Sequence, residues 1–248
     1  MARVVAVIPA RYGSTRFPGK VLADLCGKPM IQWVYEKAQQ TDVADIIVAT
    51  DDERVRAAVE GFGGRVVMTR TDHPTGTDRI AEAVAGVDAD WILNIQGDEP
   101  LVPPSVLNEL MQSVVARDDV DMGTVAVPFA DDSPKLHDPN VVKCVMGADN
   151  RALYFSRAPI PYARGPRSER TQPLHHWGIY LYRRRFLEQF VTWPQGELER
   201  CESLEQLRAV EHGVGIHVHI SHLTTIGVDT PADLVEAEAA MRASRSAS

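Results

Sequence analysis

Val4-Val5-Ala6-Val7-Ile8 runs straight into Pro9-Ala10-Arg11-Tyr12-Gly13-Ser14-Thr15-Arg16-Phe17-Pro18-Gly19-Lys20. Five apolar residues without polar alternation predict a strand covered on both faces. The loop that follows holds three cations, Arg11, Arg16 and Lys20, among glycines. The same alternation continues outward. Met30 to Gln40 places Ile31, Val34, Tyr35 and Ala38 at i, i+3, i+4 and i+7, one face of a helix. Ile46 to Ala49 reads as a second strand, and Thr50-Asp51-Asp52-Glu53 as a helix start, with the stop near Gly63-Gly64. Val66 to Met68, Trp91 to Ile95 and Met122 to Val127 are further strands, with helices over Thr77 to Val87 and Ser105 to Ala116. Strands alternating with helices of this length specify βαβ units. The fold class is therefore α/β, a doubly wound and mostly parallel sheet. Ligands of such sheets bind outside the carboxyl ends of the strands.

The second half has a different grain. Val141 to Met146 and Ala152 to Ser156 read as a hairpin around Gly147-Ala148-Asp149-Asn150. Ala163 to Pro173 is polar and basic and reads as a loop. Gly178 to Tyr182 and Ile216 to Ile220 read as strands. Phe186 to Val191 and Ser203 to His212 read as helical pieces, and Thr230 to Arg242 as a closing helix before a frayed tail, Ala243 to Ser248. No composition shift marks a linker. The expected organisation is one α/β domain over 1–248 with a smaller β-rich insertion at about 140–200.

Of the 248 residues, 44% are hydrophobic and 24% charged, which excludes a disordered chain. Lys plus Arg total 26 against 34 Asp plus Glu, a net charge of −8, which argues against a general nucleic-acid binder. No apolar run approaches the roughly 18 residues of a membrane span. The Val4 to Ile8 run, cut by Pro9, is too short for a secretory signal core. Cys26, Cys144 and Cys201 are odd in number and far apart, so they fit neither a disulfide framework nor a C-x-x-C metal site. They suit a reducing cytoplasm. His217, His219 and His222 form an H-x-H-x-x-H run that no carboxylate or cysteine of matching spacing joins.

Three segments carry chemistry. The Arg11 to Lys20 loop can meet phosphate oxygens with guanidinium forks and an ammonium. It is not a P-loop, since Val21 follows Lys20 and the glycine spacing differs. Gln96-Gly97-Asp98-Glu99-Pro100 follows a strand, so Asp98 is either a Mg²⁺ ligand beside a nucleotide or a helix cap. Gly227-Val228-Asp229-Thr230-Pro231 offers a second carboxylate, again a cap or a ligand.

Together these segments resemble the CMP-3-deoxy-manno-octulosonate (CMP-Kdo) synthetases, a family of cytidylyltransferases. The resemblance runs through Ile8 to Tyr12, Pro18 to Lys20, Gly27 to Ile31, Val48 to Asp51, Met68 to His73 and Gly76 to Arg79. It continues through Asn94 to Pro100, Ala152 to Arg157, Leu204 to Arg208 and Gly227 to Pro231, which is nearly the whole chain in order. It implies a nucleotidyltransferase sheet and the activation of Kdo by CTP to CMP-Kdo and pyrophosphate, in the cytoplasm, for lipopolysaccharide biosynthesis. Nucleic acid and membrane are not among the implied partners. Mg²⁺ is the implied cofactor, held by Asp98 and Asp229. Lys20, Asp98 and Asp229 become the catalytic residues. Ala10, Arg11, Arg16, Lys20, Arg70, Gly76, Gln96 and Asp98 become the nucleotide site. Arg157, His176, Tyr180, Glu205 and Gln206 become the sugar-acid site. The insertion, with side chains between Tyr154 and Trp193, becomes a homodimer interface. Leu181 stands where the family commonly has a small residue, and Ala163 to Pro173 has no family pattern. A CMP-sialate synthetase-like enzyme and a cytidylyltransferase for an amino-substituted Kdo analogue therefore stay open.

Overall fold

A computed structural model describes residues 2–13, 17–129, 133–168 and 171–246. The chain divides into two compact units, Met1–Asn108 with Thr224–Ser248, and Glu109–Leu223. The second is thus inserted into the first, and it encloses the 140–200 stretch.

The first unit begins with β1 (Val4–Pro9), in which Val5 to Ile8 are completely buried. A two-residue hairpin follows, β2 (Asp24–Leu25) and β3 (Lys28–Pro29), with both turn residues, Cys26 and Gly27, at positive φ. Then come α1 (Met30–Ala38), β4 (Asp45–Thr50), α2 (Glu53–Gly61), β5 (Val66–Met68), α3 (Gly76–Ala83) and β6 (Trp91–Asn94). α1 buries Ile31, Val34, Tyr35 and Ala38, the face its periodicity predicts. α2 starts where the Asp52 carboxylate accepts the Arg54 backbone N–H at 2.9 Å, a cap worth about 1 kcal/mol. Strands β6, β1, β4 and β5 lie side by side in that order, all parallel. Their carboxyl ends therefore open on one edge. There β1 ends at Pro9, β4 at Thr50, β5 at Met68 and β6 at Asn94.

The chain then forms α4 (Pro104–Val115) and enters the second unit. Its strands are β7 (Met122–Pro128), β8 (Lys143–Met146), β9 (Ala152–Ser156), β10 (Leu174–Arg183) and β11 (Ile216–Ile220). β7 lies between a parallel β11 and an antiparallel β10, and the β8–β9 hairpin adds to β10. Helices α5 (Arg184–Phe190), α6 (Glu197–Glu202) and α7 (Leu207–Glu211) pack behind them. Tyr182, Phe186, Phe190 and Trp193 form a chain of ring contacts, with centroids 5.8–6.5 Å apart. Arg208 forks onto Glu199 at 2.7 Å through both Nε and Nη2, with both side chains buried.

Three sequence expectations change. β10 begins at Leu174, four residues before Gly178. The helical pattern at Ser203 to His212 shrinks to α7 because Ser203 takes a left-handed φ of 53°, and α6 precedes it. The closing helix, α8 (Pro231–Ser246), runs on into the expected tail as far as Ser246. In the first unit, α8 packs Ala237 and Met241 against Leu25, Met30 and Val228. Among the described residues no helix is long and apolar enough to cross a membrane.

Candidate active site

In the first unit, Lys20 heads a short 3₁₀ turn, Lys20–Leu22, that ends the cationic loop. Gly19 donates its N–H to the Tyr12 carbonyl at 2.9 Å, which folds the loop back on itself. The Lys20 ammonium then meets two carboxylates. One belongs to Asp98, in the turn after β6, through a short ion pair. The other belongs to Asp229, just before α8, at 2.9 Å. The two acids stand 78 and 209 residues from Lys20 in sequence. Gly97 lets the turn approach β1, since a Cβ there would lie 3.0 Å from the Pro9 carbonyl. Burial alone would push the Lys20 pKa down, but the Asp98 and Asp229 charges outweigh it and the pKa is raised. The ammonium therefore stays charged.

Two carboxylates on one ammonium leave a net negative cluster. Among the described residues no three His, Cys, Asp or Glu side chains gather as a metal cage. The donor set is instead the sparse one that Mg²⁺ takes, one or two carboxylates completed by water and phosphate oxygens. Asp98 and Asp229 fit that ion.

The remaining nucleotide candidates line the same strand ends. Ala10 is buried and donates its N–H to the Ala49 carbonyl at 2.9 Å. Arg11 donates through Nη2 to the carbonyls of His73 at 2.7 Å and Thr75 at 3.2 Å, tying the cationic loop to the segment after β5. That segment holds Arg70, which is exposed, with its guanidinium 3.7 Å from Asp72 and 3.6 Å from Glu82. Gly76 opens α3, capped by Thr75, whose hydroxyl accepts the Asp78 N–H at 3.2 Å. Gln96 donates to the Asn94 side chain at 3.3 Å. Arg16 lies outside the described residues.

The sugar-acid candidates all lie in the second unit. The Thr124 hydroxyl donates its proton to the Ile179 carbonyl at 2.7 Å and so accepts from His176 Nε2 at 2.9 Å. Burial pushes His176 down to about 3, and it pushes the Tyr180 phenol well above its usual range. Both therefore present neutral rings, 5.5 Å apart. The Glu205 charge adds to the Tyr180 shift, and Gln206 is buried at the start of α7. Arg157 donates to the carbonyls of Glu202 at 2.7 Å, Pro139 at 2.9 Å and Ser203 at 3.3 Å. Of the histidine run, His217 Nδ1 meets Arg117 at 3.3 Å and His219 Nε2 meets Glu109 at 3.1 Å.

The cytidylyltransferase family profile matches residues 5–218. A 3-deoxy-manno-octulosonate cytidylyltransferase of Syntrophobacter fumaroxidans is 50% identical over 236 residues, 94% of each chain. One from Trichlorobacter lovleyi is 47% identical over 253 residues, 97% of this chain and 99% of the relative. The chain belongs to the 3-deoxy-manno-octulosonate cytidylyltransferases. A solved structure of CMP:2-keto-3-deoxy-manno-octonic acid synthetase complexed with CTP matches it with a TM-score of 0.92 and 44% identity, covering 98% of this chain and 100% of that one.

In this cytidylyltransferase, several site-building residues escaped the sequence reading. Glu99 is the first. Burial, with the Asp98 charge, pushes it up to about 8, and its Oε2 accepts from the Thr225 hydroxyl at 3.1 Å. Its only signal was a second acid directly after Asp98. Arg79, fully buried, joins the ends of β4 and β5 by donating to Asp51 at 2.9 Å and Thr69 at 2.5 Å. It sits in the quoted Gly76 to Arg79 motif but reads there as an ordinary helix cation. Glu202 accepts from the Ser156 hydroxyl at 2.6 Å and the Arg157 N–H at 3.0 Å, with nothing in its neighbourhood to announce it.

Proposed function

We propose that the chain transfers the cytidylyl group of CTP to 3-deoxy-manno-octulosonate, giving CMP-Kdo and pyrophosphate. The observation that carries the proposal is the convergence of Lys20, Asp98 and Asp229 at the carboxyl end of a parallel sheet, in a chain of this family. The anomeric 2-hydroxyl attacks the α-phosphorus, its proton leaves to solvent, and the bond to the pyrophosphate oxygen breaks in line. The chemical problem is charge, because a triphosphate must meet a sugar acid in a protein of net charge −8. Lys20 and Arg11 supply the cations that hold the triphosphate. Asp98 and Asp229 hold Mg²⁺. The bound ion supplies charge neutralisation of the phosphate oxygens and a lower pKa for the attacking hydroxyl.

In the second unit, His176, Tyr180, Glu205 and Gln206 recognise the sugar hydroxyls. The neutral imidazole and phenol suit hydrogen bonding rather than charge pairing. Arg157 supplies the positive charge for the sugar carboxylate while its carbonyl contacts fix its plane. Support for a homodimer comes from Leu153, 62% exposed on β9, and Tyr162, 88% exposed. Support for a cytoplasmic enzyme comes from three unpaired cysteines.

A pyrophosphate-release assay over CTP and UTP, with Kdo, its amino-substituted analogue and a sialic acid, tests the reading. Turnover is expected with CTP and Kdo, and EDTA is expected to abolish it until Mg²⁺ is restored. Preference for UTP, or no turnover with Kdo, removes the proposal.

A further inference from the structure

The segment that carries Asp229 is fastened to the turn after β6 at three points, all within the first unit. Val228 donates its N–H to the Asp98 carbonyl at 2.9 Å. The Thr225 hydroxyl donates to Glu99 Oε2 at 3.1 Å. Gly227 lies so close beneath the same carboxyl that a Cβ would come within 2.8 Å of Glu99 Oε1. Beyond Asp229 the segment is held from the other side, where the N–H groups of Asp229 and Thr230 both donate to Asp233 Oδ2, at 3.0 and 2.8 Å. Asp98 and Glu99 are consecutive, yet their carboxyls do different things. Asp98 turns to Lys20, and Glu99 turns into the Thr225–Gly227 stretch.

We propose that Glu99 is a positioning residue: through Thr225 and Gly227 it sets the spacing of the Asp98 and Asp229 carboxylates, and with it the affinity of that pair for a divalent cation. The inference rests on the metal reading given above. Its physical basis is that Mg²⁺ accepts little deviation from octahedral geometry, with ligand distances of about 2.0–2.1 Å. Two ligands from distant parts of a chain satisfy that demand only if something fixes the segments to each other. The Val228 hydrogen bond fixes the backbones at one point. The Glu99 carboxyl fixes the stretch two to four residues before Asp229, which stops that stretch from pivoting about the Val228 bond. With Glu99 against it, the glycine at 227 leaves room for the carboxyl, which a side chain there would push aside.

The experiment compares the parent with Glu99→Ala, Glu99→Gln, Thr225→Val and Gly227→Ala. The readouts are the Mg²⁺ concentration for half-maximal pyrophosphate release, the Mg²⁺ dependence of CTP binding by calorimetry, and the far-UV circular dichroism. Glu99→Ala and Gly227→Ala are expected to raise the half-saturating Mg²⁺ by about 10-fold or more, as loss of an outer partner of a metal ligand does. The KM for Kdo is expected to stay at the parent value, a split that general loss of structure does not produce. Glu99→Gln keeps an acceptor for Thr225 and is expected to restore most of the Mg²⁺ affinity that Glu99→Ala loses. If Glu99→Ala does not fold, Gly227→Ala and Thr225→Val decide the matter from the other side of the contact. Parent-like Mg²⁺ dependence in the folded variants overturns the inference. So does Glu99→Gln as impaired as Glu99→Ala, since the carboxyl's charge and not its contact would then matter. A parent chain indifferent to divalent ions removes the metal reading itself, and this inference with it.

Discussion

Lys20 carries two acids at once, and losing it does not equal losing either acid. Asp98→Ala leaves Lys20 paired with Asp229, so the fold is expected to survive. Turnover is expected to fall by about 10³-fold, of the order seen when one group stabilising developing charge is removed. Single-turnover pyrophosphate release, with circular dichroism as the control, checks this. Lys20→Met leaves Asp98 and Asp229 facing each other without a counter-charge, and a rise in the KM for CTP is expected alongside a lower kcat. At this scale residue type and strand-end position suffice to single out Lys20 and Asp98, which the structure brings into contact. The sequence leaves Asp229, like Asp98, open between cap and ligand, and its contact with Lys20, 209 residues away, is not visible there. The sequence reading passed over Glu99 and Arg79, whose importance comes from burial, a property of the folded surroundings that residue type does not encode.

Elements pack closely wherever a small residue permits it, and the approach of α4 to β7 in the second unit is such a case. A Cβ on Gly123 would lie 2.7 Å from Val114 Cγ2 and 3.3 Å from Leu110 Cδ1. Valine is stiff at χ1 and cannot swing aside. Gly123→Ala is expected to destabilise the protein by about 1–3 kcal/mol, the usual cost of overpacking. Adding Val114→Ala is expected to recover part of it, read from denaturant unfolding. The α1 face and the covered strand β1 were legible because their periodicity is local and strong. α6 was not. Glu197–Glu202 has Leu198 as its one aliphatic residue, and that side chain is 37% exposed, so no apolar stripe exists to find. β10 extends back to Leu174 through two histidines, which read as polar in sequence but are carried in a strand by burial and by pairing with β7.

For the molecule as a whole, the adjacent histidines of β10 forecast the response to acid. Burial, with the nearby charges of Lys135 and Lys143, pushes His175 down to about 4. Burial, with His175 beside it, pushes His176 down to about 3. The folded state thus keeps both rings neutral over a range where the unfolded chain, titrating near 6.5, binds protons. Their contribution to stability is fully present above about pH 6.5. It is lost progressively as pH falls toward 4 and below, with a slope of up to about 1.4 kcal/mol per pH unit for each ring. Unfolding free energies measured by urea titration between pH 7 and 4 are expected to fall accordingly. His175→Gln is expected to flatten the slope by about half. An unchanged slope in that variant would show that other groups govern acid lability.

The insertion of one unit into the other has a consequence for how the protein is made. A ribosome that has translated as far as Leu223 has already released Lys20 and Asp98 from its exit tunnel, yet Asp229 does not exist. During that interval the nascent polypeptide has half of its acidic pair, and β2 lacks the cover that α8 later brings. With the role proposed for Asp229, competence to activate the sugar arrives late, with the closing segment, and an incomplete product of interrupted synthesis would not consume CTP.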